Sequence, residues 1–187
     1  MNFRLFDIVE TEKFQYVRIH KNGNTSVQRC ILNTFKENIM YVNHLSKKPR
    51  FCIIRDPYKR FLSGLRYDLN RNKVNIKDIV IKKLFTSNDI HYRNSMMGNI
   101  NHSISQIPYL FNVQCSHYID IEDLDIFLKM HFNQTAHDNK SSINKKYDIE
   151  KYIDKDEIMK YLHLDYYVYN RIKQSPFLWE WQHGKIF

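Results

Sequence analysis

Hydrophobic and polar positions alternate in blocks along the first third of the chain. In Phe14–Ile19, β-branched and aromatic residues run up to an Asn22-Gly23 turn signal, which predicts a strand of about six residues. Val27, Cys30, Ile31 and Phe35 then recur at helical spacing, so a helix is expected to begin near Ser26. Asn38–Asn43 is a second short strand candidate. Phe51–Ile54 is a third, and its unbroken apolar run is typical of a strand covered on both faces. After Asp56, Pro57 suits a first helical turn, and Tyr58, Phe61, Leu62 and Leu65 fall on one stripe of the helix that follows.

The pattern continues less sharply. Ile76–Phe85 reads as a helix, whereas Thr86–Pro108 is polar and irregular, as expected of a segment that lines or covers a site. His117–Ile121 is a strand candidate followed by a helix over Leu124–Phe132, and Asn133–Lys146 is a polar loop. Asp154 and Glu157 have capping-box spacing, predicting a helix onward to Lys173 with Tyr166, Tyr167 and Tyr169 partly buried. The remaining segment, with two Trp, is expected to pack on the body. Alternating strands and helices predict an α/β fold: a three-layer α/β/α domain with a central, mostly parallel sheet, a single domain over residues 1–187.

Composition narrows the classes. A 43% hydrophobic, 14% aromatic chain argues against disorder. A net charge of +9 predicts attraction to something anionic without choosing among nucleic acid, membrane, nucleotide and acidic polysaccharide. Cys30, Cys52 and Cys115 are odd in number and widely separated, unlike a disulfide framework or a zinc-ligand set. No apolar run approaches the roughly 18 residues needed to cross a bilayer, and the N-terminal stretch lacks an apolar signal-peptide core. The expectation is therefore a soluble, cytoplasmic protein without a membrane span.

Two stretches carry candidate chemistry. In Phe14–Gln28 a strand feeds a polar turn and then a helix, leaving unpaired N–H groups and a positive dipole end that favour an anion. Lys21 supplies a charge there, Gly23 allows close backbone approach, and Thr25 and Ser26 add hydroxyl donors. In Phe51–Arg66 a buried strand ends at Arg55, whose planar fork suits a phosphate at the carboxyl end of a parallel strand; Ser63 follows on the next helix. Arg60 can reinforce that charge, and Asp56 can cap the helix and orient Arg55.

HKNGNTS followed by IIRDPYKRFLSGLR resembles the two cofactor signatures of sulfotransferases dependent on 3′-phosphoadenosine 5′-phosphosulfate (PAPS). HSISQ at His102–Gln106, the YIDIEDLDIFL segment, and NKSSINKKY followed by DYYVY are similar to the carbohydrate sulfotransferase branch. The resemblance implies a P-loop-NTPase-like sulfotransferase fold. It further implies that Lys21, Asn22, Gly23, Asn24, Thr25 and Ser26 hold the 5′-phosphosulfate, that Arg55 and Ser63 hold the 3′-phosphate, and that Lys140 and Ser141, with Ser142 and Lys145, close over it. Lys21 would stabilise charge on departing 3′-phosphoadenosine 5′-phosphate (PAP), with no metal required. His44, lying between the two motifs, would take the acceptor's proton, with His20 and His102 as alternatives. The acceptor would be a hydroxyl, on a glycan first of all, for which the basic charge suits an anionic one, with a lipid, a small metabolite or a protein Tyr as alternatives. Two departures stand out: His20 replaces the family's usual Pro, and HSISQ lacks a Pro before Gln106.

Three rival readings remain at this level. A nucleotide kinase or other P-loop phosphotransferase shares the strand–loop–helix logic, but GxxxxGK[ST] is absent. A basic nucleic-acid-binding module fits the charge, but no helix-turn-helix, zinc or RNP signature appears, and nucleic acid is not the expected partner. A family member that binds PAP without transferring sulfate is the third.

Overall fold

The unbroken apolar run at Phe51–Ile54 does what such runs do in α/β proteins: it forms a strand buried on both faces. In the computed structural model, which describes residues 8–36, 38–73, 75, 106–107, 110, 113–136, 149–180 and 184–187, this strand lies between two parallel neighbours. The strands are β1 (Ile8–Glu10), β2 (Gln15–Val17), β3 (Met40–Val42), β4 (Arg50–Ile54) and β5 (His117–Asp120), in the order β3-β1-β2-β4-β5. The helices are α1 (Asn24–Phe35), α2 (Pro57–Asn72), α3 (Leu124–Phe132), α4 (Lys155–Tyr161) and α5 (His163–Lys173).

The α/β class is as expected, but the sheet is mixed rather than mostly parallel. β2, β4 and β5 are parallel, whereas β1 runs antiparallel to both β2 and β3. The difference comes from Ile8–Glu10, which the sequence reading left without an element. It forms a hairpin with β2, closed by Thr11, whose Oγ1 accepts from the N–H groups of Lys13 and Phe14 at 3.2 and 3.1 Å. The strand expected over Phe14–Ile19 keeps its place but pairs only through Gln15–Val17.

Successive residues of β4 point to opposite faces, as the strand period of two requires. Phe51 and Ile53 join Val27, Ile31, Phe127 and Leu128, so α1 and α3 cover one face. Cys52 and Ile54 join Val17, Val113 and Ile172 on the other. A third cluster locks α2 to α4 and α5 through Phe61, Leu65, Leu69, Ile158 and Leu162. Burying an aliphatic or aromatic side chain contributes roughly 1.5–3 kcal/mol, so these clusters set the position of α2 firmly.

Helix ends follow their sequence signals where a cap residue is present. Asp56 accepts from the Lys59 N–H at 2.8 Å ahead of Pro57, and Asp154 accepts from the N–H groups of Asp156 and Glu157. The helix expected from Asp154 to Lys173 is two, divided at Leu162, and Tyr167 is exposed while Tyr166 and Tyr169 are half-buried. Trp179 packs into the core against Phe127. The expected helix over 76–85 and most of the segment 86–108 lie outside the described residues, as does 137–146 of the polar loop.

Candidate functional site

The turn after β2 is built on two left-handed residues: Lys21 at φ 66° and Gly23 at φ 77°. A left-handed lysine is unusual, since Cβ crowds the following carbonyl there, and three side chains hold the loop in place. The Asn22 side chain turns inward, fully buried, and donates to the Ile53 carbonyl at 2.8 Å and to Gln106 Oε1 at 3.3 Å. Arg55 Nη1 donates to the Lys21 carbonyl at 3.0 Å, and Arg60 Nη1 to the His20 carbonyl at 3.4 Å. Two guanidiniums from the end of β4 and the first turn of α2 thus grip the backbone of the loop that follows β2.

The Lys21 ammonium sits 4.3 Å from the centre of the Tyr67 ring, a cation–π contact. Burial lowers the Lys21 pKa, with Asp68 opposing and Arg55 adding to the decrease. Burial also lowers that of Arg55, with Asp56 opposing and Arg66 adding. Both groups are therefore partly stripped of water and lie within each other's field, conditions under which an anion is worth more than at an open surface. Arg60, Ser63 and Tyr67 recur at i, i+3 and i+7 on α2, one stripe of a helix. Arg60 and Tyr67 both touch the loop, so Ser63, between them, faces it too.

Helix α1 begins at this loop with Gly23 as its N-cap, which has no side chain to cap the first turn, and no acidic residue stands in that turn. Its dipole end is therefore left for an external anion. Gly23 also has a packing role that its sequence position does not reveal. A Cβ at this position would lie 2.8 Å from Leu124 Cδ2, so the backbone here comes close to α3. The Asn24 side chain accepts from the Tyr16 hydroxyl at 2.6 Å, Ser26 is buried, and Thr25 is exposed. Of the six loop residues nominated as ligand-binding, Asn22 and Asn24 thus have side chains committed to the fold. Lys21 and Thr25 remain as outward groups.

The structure brings Lys21 and Arg55 together, with Ser63 on the α2 stripe that also carries Arg60 and Tyr67, but does not bring His44 to them. Its carbonyl accepts from Gln15 Nε2 at 3.2 Å, and its ring acts on Glu10, so it lies at the start of β2 and the end of β1, the opposite end of the sheet from Lys21. The reason is the path of the chain after β3. Ser46 N–H donates to Gln15 Oε1 at 3.1 Å and Lys48 pairs with Glu10 at 2.8 Å, strapping this segment back along the sheet toward the start of β4. Lys140, Ser141, Ser142, Lys145 and His102 lie outside the described residues.

Gln106, Tyr67 and Asp165 were not singled out from the sequence as site residues. Buried Gln106 bridges Asn22, the Arg55 carbonyl at 3.4 Å and, through its N–H, Asp165 at 2.9 Å. Tyr67 was findable as the residue one turn beyond Ser63 on the same face; Asp165 had no local signal. At the carboxyl end of the neighbouring strand, Asp120 accepts from Lys173 Nζ at 2.8 Å, Tyr169 Oη at 2.9 Å and the Glu122 N–H at 3.1 Å. Among the described residues no group of three or more His, Cys, Asp and Glu side chains is placed to hold a metal, and no helix is long and apolar enough to cross a membrane. Comparison of the chain with protein-family models, with curated proteins and with solved structures finds no match in any of the three.

Proposed function

We propose that the protein is a PAPS-dependent sulfotransferase with the three-layer, P-loop-like fold of that family, transferring a sulfuryl group to a hydroxyl of a carbohydrate acceptor. The observation that carries this reading is the Arg55–Lys21 carbonyl bond. It joins two loops that follow adjacent parallel strands, so the cation of one motif and the guanidinium of the other flank a single crevice. A ligand with phosphates at both ends of a nucleoside offers each of the two cations a phosphate of its own.

The residues present fit such a ligand. PAPS supplies an activated sulfuryl group on a phosphate leaving group. Lys21, released from Tyr67, places its ammonium against the phosphate as negative charge builds there, while the uncapped start of α1 holds the same phosphate by its N–H groups. Arg55 and Ser63 hold the second phosphate, Arg55 with the N–H groups that its bond to Lys21 leaves over. The acceptor oxygen bonds to sulfur as the sulfur–oxygen bond to phosphate breaks, and the acceptor's proton passes to a base. His20 takes that role in place of His44, because it is the histidine that adjoins Lys21 in the loop. The net charge of +9 favours an acceptor that is itself anionic.

The kinase reading is weakened by Asp120. It is the acidic strand-end residue a magnesium site would call on, but its oxygens are already taken by Lys173, Tyr169 and a backbone N–H. Titration calorimetry tests the proposal: PAP binds at micromolar or better affinity, and Arg55→Ala weakens it by about tenfold or more, that is about 1.4 kcal/mol. Absence of measurable PAP binding by the unaltered protein overturns it.

A further inference from the structure

A cavity of about 670 Å³ opens at the other end of α1, between the β1–β2 turn, the last turn of α1, the end of α3 and residues 184–187. The 12 residues of α1 span about 18 Å at 1.5 Å per residue, so this cavity is separate from the Lys21 loop. Its volume falls within the range of small-molecule sites. Lys13, Lys36 and Lys185 line it against the Glu12 side chain, a positive excess among the lining side chains. Phe35 and Phe187 supply apolar ring surface.

The least expected part of the lining is His131. Its ring lies 4.4 Å from that of Phe127 and 4.7 Å from that of Phe187, centre to centre, and both of its nitrogens are buried without a hydrogen-bond partner among the described residues. Burial, with Lys185 and then His117 adding to it, lowers its pKa to about 4, so the imidazole is neutral at neutral pH and offers one donor and one acceptor. Leaving both unmet costs free energy that a phenylalanine in the same aromatic cluster would not. The ring itself lines the cavity, and a turn of it that brings a nitrogen to the opening lets a ligand polar group remove that cost.

We propose that this cavity is a second ligand site, taking a small aromatic acid that carries a ring hydroxyl. The ring lies against Phe35 and Phe187, the acid group among the three lysines, and the hydroxyl against His131. An acid suits the three-to-one excess of positive side chains, and a flat ring suits the aromatic walls, which favour offset or edge-on ring contacts.

The test uses 4-hydroxybenzoate as the probe with the full chain, followed by calorimetry and by NMR of the histidine rings. We expect saturable binding that shifts the His131 ring signals. Exposed Lys13→Gln and Lys185→Gln each weaken it by about fivefold or more, and uncharged 4-hydroxybenzyl alcohol binds about tenfold or more weakly than the acid. His131→Phe, which keeps the ring packing, weakens 4-hydroxybenzoate more than benzoate. Lys21→Ala leaves the binding unchanged, which separates this site from the phosphate crevice. The proposal fails if no saturable binding is seen, if the alcohol binds as well as the acid, if both lysine variants bind normally, or if Lys21→Ala abolishes binding.

Discussion

Gly23→Ala probes the point where the loop, α1 and α3 meet. Two separate penalties follow from the geometry. The backbone at φ 77° puts an L-residue in the left-handed region at about 1–2 kcal/mol. The new Cβ would then lie 2.8 Å from Leu124 Cδ2, an overpacking of the kind that costs about 1–3 kcal/mol, here near the low end because the contact is the tip of a side chain that can rotate. Together they predict a loss of about 2–3 kcal/mol, which for a chain of this size lowers Tm by roughly 4–12 °C. Urea and thermal denaturation of a double-mutant cycle with Leu124→Ala separate the two penalties. Leu124→Ala alone costs about 2–5 kcal/mol as a buried leucine. In its background Gly23→Ala should lose only the backbone penalty, a coupling of about 1 kcal/mol. Strict additivity would show that the steric contact is not felt, and an unchanged Tm in the single variant would refute the left-handed backbone itself.

Lys21 gives a matched pair in which charge is not a variable. Lys21→Ala retains the left-handed strain and Lys21→Gly relieves it, so the glycine variant should be the more stable of the two by about 1 kcal/mol, read by urea denaturation; equal stabilities would contradict φ 66° at this residue. The acid limb of the stability curve should have two parts. His131, lowered from 6.5 to about 4 by burial, binds a proton more readily when unfolded, so its contribution is intact above pH 6.5 and is lost as pH falls toward 4. Burial alone would raise Asp120, but its bonds to Lys173, the Glu122 N–H and Tyr169 outweigh it and leave the pKa lowered, so its contribution is lost only as pH falls below about 3.8. His131→Phe should flatten the first part and Asp120→Asn the second, measured by denaturation across pH 2–8; a limb unchanged by both removes these two groups as its source.

What could be read from the sequence was whatever rested on local periodicity. The apolar block at Phe51–Ile54, the stripe of Tyr58, Phe61, Leu62 and Leu65, and the helix at Leu124–Phe132 all recur in place because each buries a face that its own spacing defines. Ile8–Glu10 escaped because three residues carry too little alternation to signal a strand, and only pairing with β2 and β3 makes it one. That omission is the whole reason the sheet was expected to be mostly parallel.

The site divides along the same line. Lys21, Arg55 and Ser63 were legible because they stand at strand ends or one helical face from them, where position along the chain fixes position in space. His44 was not, because it lies in a segment with no element of its own, and sequence proximity to two motifs says nothing about direction. The direction comes from Gln15, Glu10 and Lys48, polar side chains that hold residues 44–48 against the wrong end of β2. Side chains committed inward, Asn22 to Ile53 and Asn24 to Tyr16, were misread for a related reason. A polar residue in a turn can serve a ligand or the turn's own buried backbone with the same amide, and here the left-handed Lys21 needs the second use. A loop held in a conformation that its lysine disfavours requires such internal struts, so among the described residues the groups left to meet an anion are the Lys21 ammonium, the Thr25 and Ser63 hydroxyls, the start of α1 and the unspent N–H groups of Arg55.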